Sequence, residues 1–250
     1  MPEFTEKARL HPAKADVASR QARAPLIDRA DIDFTELAVT SNFTFLTGAS
    51  HPEELVERAA DLGHRAAAIA DTNTLAGVVR AHVAAKAAGI PLALGCRLVL
   101  AHPEGLTLLV FPTDARSYAR LCKLLTLGKR RAAKGECFLT LDDLALYADG
   151  LLGVIMPPDD HRDGLDNTFK QHVVRLRSIF EGGDRLSMAI YARARADDTE
   201  RIARVASFAA WIGLPLVATN DVLYHAPGRR ALQDVVTCVR HGTTIDGAGQ

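Results

Sequence analysis

Two aspartates sit where chemistry is possible. Asp71 closes the apolar run "RAAAIAD" and Asp221 follows "LPLVATN", so each lies just past a segment that reads as a buried strand. Carboxylates carried on different strands could meet at one mouth of a sheet, where enzymes gather catalytic groups. An Asp after a strand is also a common helix cap, and the pair alone does not decide between the two readings. A third place has the layout of a site without its chemistry. "FTELAVTSNFTFLTGASHPEEL" (34–55) reads as a strand, a sharp turn and a capped helix, yet the inward positions Ala38 and Thr40 offer no strong metal ligand. Lastly, "GKRRAAKG" groups Lys129, Arg130, Arg131 and Lys134 in what reads as a Gly-bounded loop. Such a cluster is either solvated surface or a docking site for another protein module or a DNA backbone, where phosphate contacts give salt-sensitive affinity. No aromatic residues are interleaved with it, which disfavours base stacking.

The remaining reactive residue types add little. Of nine histidines, His51 follows a helix cap, His64 precedes a strand and His82 lies on a helix with Lys86 one turn on. His225, four residues after Asp221, is the best stray ligand, although a lone His is more often a hydrogen-bonded surface residue. Cys96, Cys122, Cys137 and Cys238 are scattered with no C-x-x-C pair, so they read as buried thiols rather than a zinc knuckle or redox motif. There is no G-x-S-x-G elbow and no G-x-G-x-x-G fingerprint.

The elements that would position these residues alternate along the chain. Strand-like Phe34 to Val39 leads to a helix opened by Ser50, with Glu53 three positions on in capping-box spacing and Gly63 at its end. "RAAAIAD" and "IPLALG" read as strands around a helix that ends at Gly89. "RLVLAHPEGLTLLVFP" reads as a hairpin turning at His102 to Gly105. An amphipathic helix follows over Asp114 to Leu127, then the strand "LLGVIM", a helix over Asn167 to Phe180, the strand "RLSMAIYA", a helix over Asp197 to Trp211, the strand "LPLVAT" and a helix over Arg229 to Arg240. Apolar strands without alternation imply a parallel sheet covered by helices. Six or seven β–α units predict a distorted (β/α)7-type barrel, with an open doubly wound sheet as the alternative. Residues 1–33, rich in Ala, Arg and Asp, are expected to be a flexible leader.

Composition limits the function classes. Thirty basic and thirty acidic residues cancel, so no global field draws the chain to nucleic acid and any such contact must be local. A mean hydropathy of +0.03 and the lack of any apolar run near the roughly 20 residues of a membrane span point to a soluble globular protein with no membrane partner, expected in a reducing cytoplasm.

Several segments carry a specific resemblance in order. "SNFTFLTGASHPEELVERAADLGHRAAAIADTNTLAGVVRAHVAAKAAGIPLALGCRLVL", "LVFPTDARSYARLCKLLTLGKRRAAKGE" and "LVATNDVLYH" are similar to the N-terminal PHP (polymerase and histidinol phosphatase) domain of C-family bacterial DNA polymerases. "LQDVVTCVRHGTTIDGAG" brings the resemblance closest to the error-prone branch. The resemblance implies a TIM-like PHP barrel over 34–250, with the chain stopping before the polymerase palm. Active PHP sites bind zinc, manganese or iron, and the full polymerase uses magnesium.

Carried onto this chain, the resemblance explains the bare strand end. The family's H-x-H pair falls on Ala38 and Thr40, its Asp-His on Asp71 and Thr72, its Glu on Arg97, its later Cys near Pro157, and its Asp-x-His on Asp221 and Leu223. Only Asp71 and Asp221 keep a ligand type, and Arg97 would repel a cation. The expectation is therefore a domain with no catalytic residues, no bound cofactor and no polymerase activity of its own. It would organise an error-prone polymerase through contacts with the remaining modules, and through the full-length enzyme with DNA and other damage-tolerance proteins. The alternative is a metal-dependent phosphoesterase or 3′–5′ proofreading exonuclease. A free-standing PHP-like binding protein is a third possibility.

Overall fold

Strands that are apolar on both faces need cover on both. The computed structural model describes residues 34–158 and 165–248 and provides that cover for the strands Ala67–Thr72, Thr107–Pro112, Leu151–Met156 and Leu186–Ile190 above all. The expected leader, residues 1–33, and part of the loop "MPPDD" lie outside the described residues. The elements run α1 (Pro52–Asp61), β1 (Ala67–Thr72), α2 (Val78–Ala88), β2 (Leu92–Val99), β3 (Thr107–Pro112), α3 (Ala115–Arg131) and α4 (Leu141–Tyr147). They continue with β4 (Leu151–Met156), α5 (Asn167–Ile179), β5 (Leu186–Ile190), α6 (Asp198–Ile212), β6 (Leu216–Ala218) and α7 (Arg230–His241). Among the described residues the six strands form one sheet in the order β1-β2-β3-β4-β5-β6.

The sheet is not all parallel, which corrects the expectation. β1/β2, β4/β5 and β5/β6 pair in parallel, but β2/β3 and β3/β4 are antiparallel. The hairpin accounts for the first reversal, with Val99 opposite Thr107. Both faces of β3 are buried, so its sequence carries no alternation that would reveal its direction.

The sheet curls, and its two edges are brought together by residues 38–40. Thr40 N–H donates to Val222 O (2.9 Å), Val222 N–H to Ala38 O (2.8 Å), and Ala70 N–H to Val39 O (2.7 Å). The expected strand Phe34 to Val39 is thus reduced to one bridge, between Val39 and Val222. The reason lies in Glu36, whose carboxylate takes the Ala38 N–H (2.9 Å) that a neighbouring strand would otherwise bind.

Side chains fill the interior. Ala38, Ala70, Leu109, Val154 and Ala189 pack together from different strands, and a wholly buried leucine such as Leu109 contributes about 2–3 kcal/mol. α3 to α6 bury the larger apolar cluster against the outer face.

Local signals set the helix ends with small shifts. α1 is capped at His51 rather than Ser50, and Glu54 accepts the His51 N–H (2.9 Å). Ser50 instead hydrogen-bonds His225. α2 stops at Gly89, which takes the left-handed conformation (φ 67°) that an L side chain resists. α3 runs four residues past its expected end, because Gly128 does not break it. A Cβ there would lie 2.6 Å from Cys137 Sγ, so the glycine serves close packing. Lys129, Arg130 and Arg131 therefore form the last turn of a helix, and the Gly-bounded loop expected there does not exist. Cations in that turn also complement the helix dipole.

Candidate functional site

The strand ends that should carry chemistry converge around residues 36–44. Asp71, last but one in β1, is buried, with 1% of its surface exposed. Its Oδ1 accepts the Ser41 N–H (2.8 Å) and the Thr44 hydroxyl (2.8 Å), and its Oδ2 accepts the Ser41 hydroxyl (2.7 Å). Thr44 Oγ1 in turn accepts the Thr72 N–H (2.9 Å). Burial pushes the Asp71 carboxyl above its ordinary pKa of 3.8, against the opposing pull of the Ser41 and Thr44 hydrogen bonds. Asp71 thus ties the turn after residue 40 onto β1.

Asp221 follows β6 in the left-handed backbone region (φ 52°). Its carboxylate, 9% exposed, is held from two sides. Arg97 of β2 pairs with Oδ1, and Arg193, just beyond β5, reaches Oδ2 at 2.9 Å. The three charges come from the ends of three different strands. Arg193 lies over the Tyr191 ring (5.1 Å), and its backbone N–H donates to Asp198 (2.8 Å).

The remaining positions singled out in the sequence are sealed rather than open. Ala38 and Thr40 are buried at 0% and 1% exposure, so they do not line an open cavity, and Thr40 Oγ1 has no hydrogen-bond partner. Leu223 enters through its backbone, its carbonyl accepting the Ala49 N–H (2.8 Å). Among the described residues no three His, Cys, Asp or Glu side chains converge so as to hold a metal ion.

Sequence reading missed two residues of this centre. Glu36 is buried, and besides Ala38 N–H it accepts the Asn220 N–H (2.7 Å), the Asn220 side-chain amide (3.0 Å) and the Thr219 hydroxyl. Its signal was the period-2 face Glu36, Ala38, Thr40, on which it is the one ionisable residue. Arg193 had no such signal, because "YARARA" offers two arginines with the same alternation.

Other candidates resolve into packing. His225 Nδ1 hydrogen-bonds Ser50 Oγ (2.8 Å), and burial lowers its pKa. Burial pushes the Cys96 thiol up to about 12, which leaves it protonated and unreactive. Within the basic cluster, Arg131 donates to Asp143 (2.7 Å). Burial raises the Asp143 carboxyl, but bonds from Thr140 and Arg131 outweigh it and hold the group below its usual range. Arg131 is thus a structural cation, unlike Lys129, Arg130 and Lys134.

A curled α/β sheet with its polar centre at the strand ends is a barrel-type architecture, in which sites are built from the loops beyond the strands. The chain belongs to the PHP domain family, whose model matches residues 36–186. It is 45% identical over 218 residues to error-prone DNA polymerase 2 of Agrobacterium fabrum, which covers 87% of this chain and 19% of that protein. It is 47% identical over 216 residues to the error-prone DNA polymerase of Caulobacter vibrioides, a match that covers 86% of this chain and 19% of the relative. The chain spans about a fifth of the length of these curated relatives.

Two solved structures share the fold at 16% identity. One is named for a metal-dependent phosphoesterase of Bifidobacterium adolescentis (TM-score 0.57, covering 78% of this chain and 89% of that one). The other is an amidohydrolase of Chromobacterium violaceum (TM-score 0.54, covering 78% and 88%). Among the described residues no helix is long and apolar enough to cross a membrane.

Proposed function

We propose that this chain is the PHP domain of an error-prone DNA polymerase in which an ion-pair cluster stands where the family's metal site would be. The domain organises the polymerase and does not hydrolyse phosphoesters. The observation that carries this reading is the Arg97–Asp221–Arg193 cluster. Both oxygens of Asp221 are occupied by guanidinium groups, and both oxygens of Asp71 by Ser41 and Thr44. A zinc, manganese or iron site needs several open N or O donors and one position left for water. The residues present do not fit such a site. Identity to error-prone polymerases over most of the chain supports the parent enzyme, whose DNA synthesis in damage tolerance we assign to the roughly four-fifths of those polymerases outside the matched region.

Rebuilding part of the ligand set tests this reading. Ala38→His with Thr40→His restores two imidazoles, but Arg97 still projects a cation into the cluster. The double variant should remain unable to hydrolyse p-nitrophenyl phosphate or DNA 3′ ends with zinc or manganese added. Recovery of metal-dependent turnover would refute the proposal.

The basic end of α3 is the proposed electrostatic contact with the remaining polymerase modules or with the DNA backbone. Neutralising Lys129, Arg130 and Lys134 to Gln should weaken assembly with those modules at low salt. Melting of the domain should barely change, since exposed charges contribute little to stability. Neutralisation suits this test better than charge reversal, which would also oppose the helix dipole. Assembly that is insensitive to both salt and substitution would mark the cluster as plain solvated surface.

A further inference from the structure

α7 has its polarity inverted. An ordinary surface helix turns its apolar stripe to the core and its polar side to water. The apolar residues of α7, Leu232, Val235, Val236 and Val239, follow that i, i+3, i+4, i+7 pattern. Yet Leu232, Val235 and Val239 are 42%, 45% and 58% exposed. The helix instead meets the domain through polar groups: Gln233 donates to Thr47 O (2.8 Å) and Arg240 to Thr47 Oγ1 (3.0 Å). Its buried residues are Gln233 and Cys238. The amphipathic pattern is that of a buried helix, and the described residues do not bury it.

The size of the patch points to the kind of partner. Freely diffusing proteins need about 20–30 residues a side for a stable interface. Three exposed apolar side chains supply far less, so neither a second copy nor a separate protein would be held here alone. A partner on the same polypeptide faces no such requirement, because a tether raises its effective concentration to the millimolar range. The polymerases that this chain matches are about five times its length, so each carries such a polypeptide.

We infer that the apolar stripe of α7 is the seat of an apolar face of another module on the same polymerase polypeptide. The inference rests on the proposed function only in taking the chain as part of a polymerase.

Hydrogen exchange over residues 230–241 tests it. The measurement is made on the 250-residue chain alone and on the chain joined to the remaining polypeptide of the Caulobacter vibrioides polymerase. Exchange should slow about tenfold or more in the joined protein. Val235→Asp with Val239→Asp should abolish that slowing and leave the melting temperature of the chain alone unchanged. Equal exchange in both proteins overturns the inference. So does protection that grows with concentration in the chain alone, which would make a second copy the occupant, and so does a lower melting temperature of the double variant alone. Bound metal would sink the proposed function and leave this inference standing, because exchange at α7 does not depend on the strand-end centre.

Discussion

Arg97→Ala should destabilise the domain by about 2–3 kcal/mol. Removing one partner of a fully buried ion pair costs about 3–5 kcal/mol, because the other charge stays desolvated. Two features reduce that figure here. Arg193 still reaches Asp221 at 2.9 Å, and 15% of the Arg97 side chain is exposed to solvent that screens the pair. For a domain of this size the melting temperature should fall by roughly 5–10 °C. The cost is specific to the pair, which joins β2 to the segment after β6 and so holds the curled sheet closed. A double-mutant cycle with Asp221→Ala should return a coupling above about 1 kcal/mol. A coupling near zero would mean that Arg97 acts through packing of its stem alone, and the ion pair would lose its place in the account.

Asp71 is the second large effect, and its two obvious variants should diverge. Asp71→Ala leaves the Ser41 N–H, the Ser41 hydroxyl and the Thr44 hydroxyl without their acceptor in a buried place. At about 1 kcal/mol or more for each orphaned group, the loss should be roughly 3 kcal/mol. Asp71→Asn keeps an acceptor oxygen and the shape, and it removes a buried charge. Because burial raises the folded-state pKa of Asp71 above 3.8, the folded chain binds the proton more tightly than the unfolded chain. Its contribution to stability is therefore fully present below pH 3.8 and is lost as pH rises through the raised folded value. Asp71→Asn should flatten that part of the stability–pH curve and match or exceed the parent at neutral pH. Chemical denaturation at several pH values reads both outcomes. A pH profile in Asp71→Asn identical to the parent's would contradict the assigned burial cost.

How much was legible in the sequence depended on whether the signal was local. The hairpin over 97–112 showed itself because turn residues sit between two apolar runs, and the register Val99 opposite Thr107 follows from that turn. α4 carried the Thr140-x-x-Asp143 capping signature in plain view and was passed over, because seven residues give little periodicity. The extent of α3 was misjudged because Gly128 reads locally as a breaker, and only the approach of Cys137 and Leu139 shows why a glycine is needed within a helix. Asp71 and Asp221 were found from their places after apolar strands. What occupies them was not, since Ser41 lies 30 residues from Asp71 and Arg97 lies 124 from Asp221. The family resemblance put an arginine at a ligand position. In the fold that arginine pairs with Asp221.

Elemental analysis of the purified 250-residue chain, paired with a phosphoesterase assay, tests the central claim most directly. The account predicts well under about 0.1 equivalents of zinc, manganese or iron per chain, no hydrolysis of phosphoesters or DNA 3′ ends, and no change in either when Asp71 is replaced by Asn. About one or more tightly bound metal ions per chain, with hydrolysis that disappears in Asp71→Asn, would contradict it and establish a working metal centre at these strand ends.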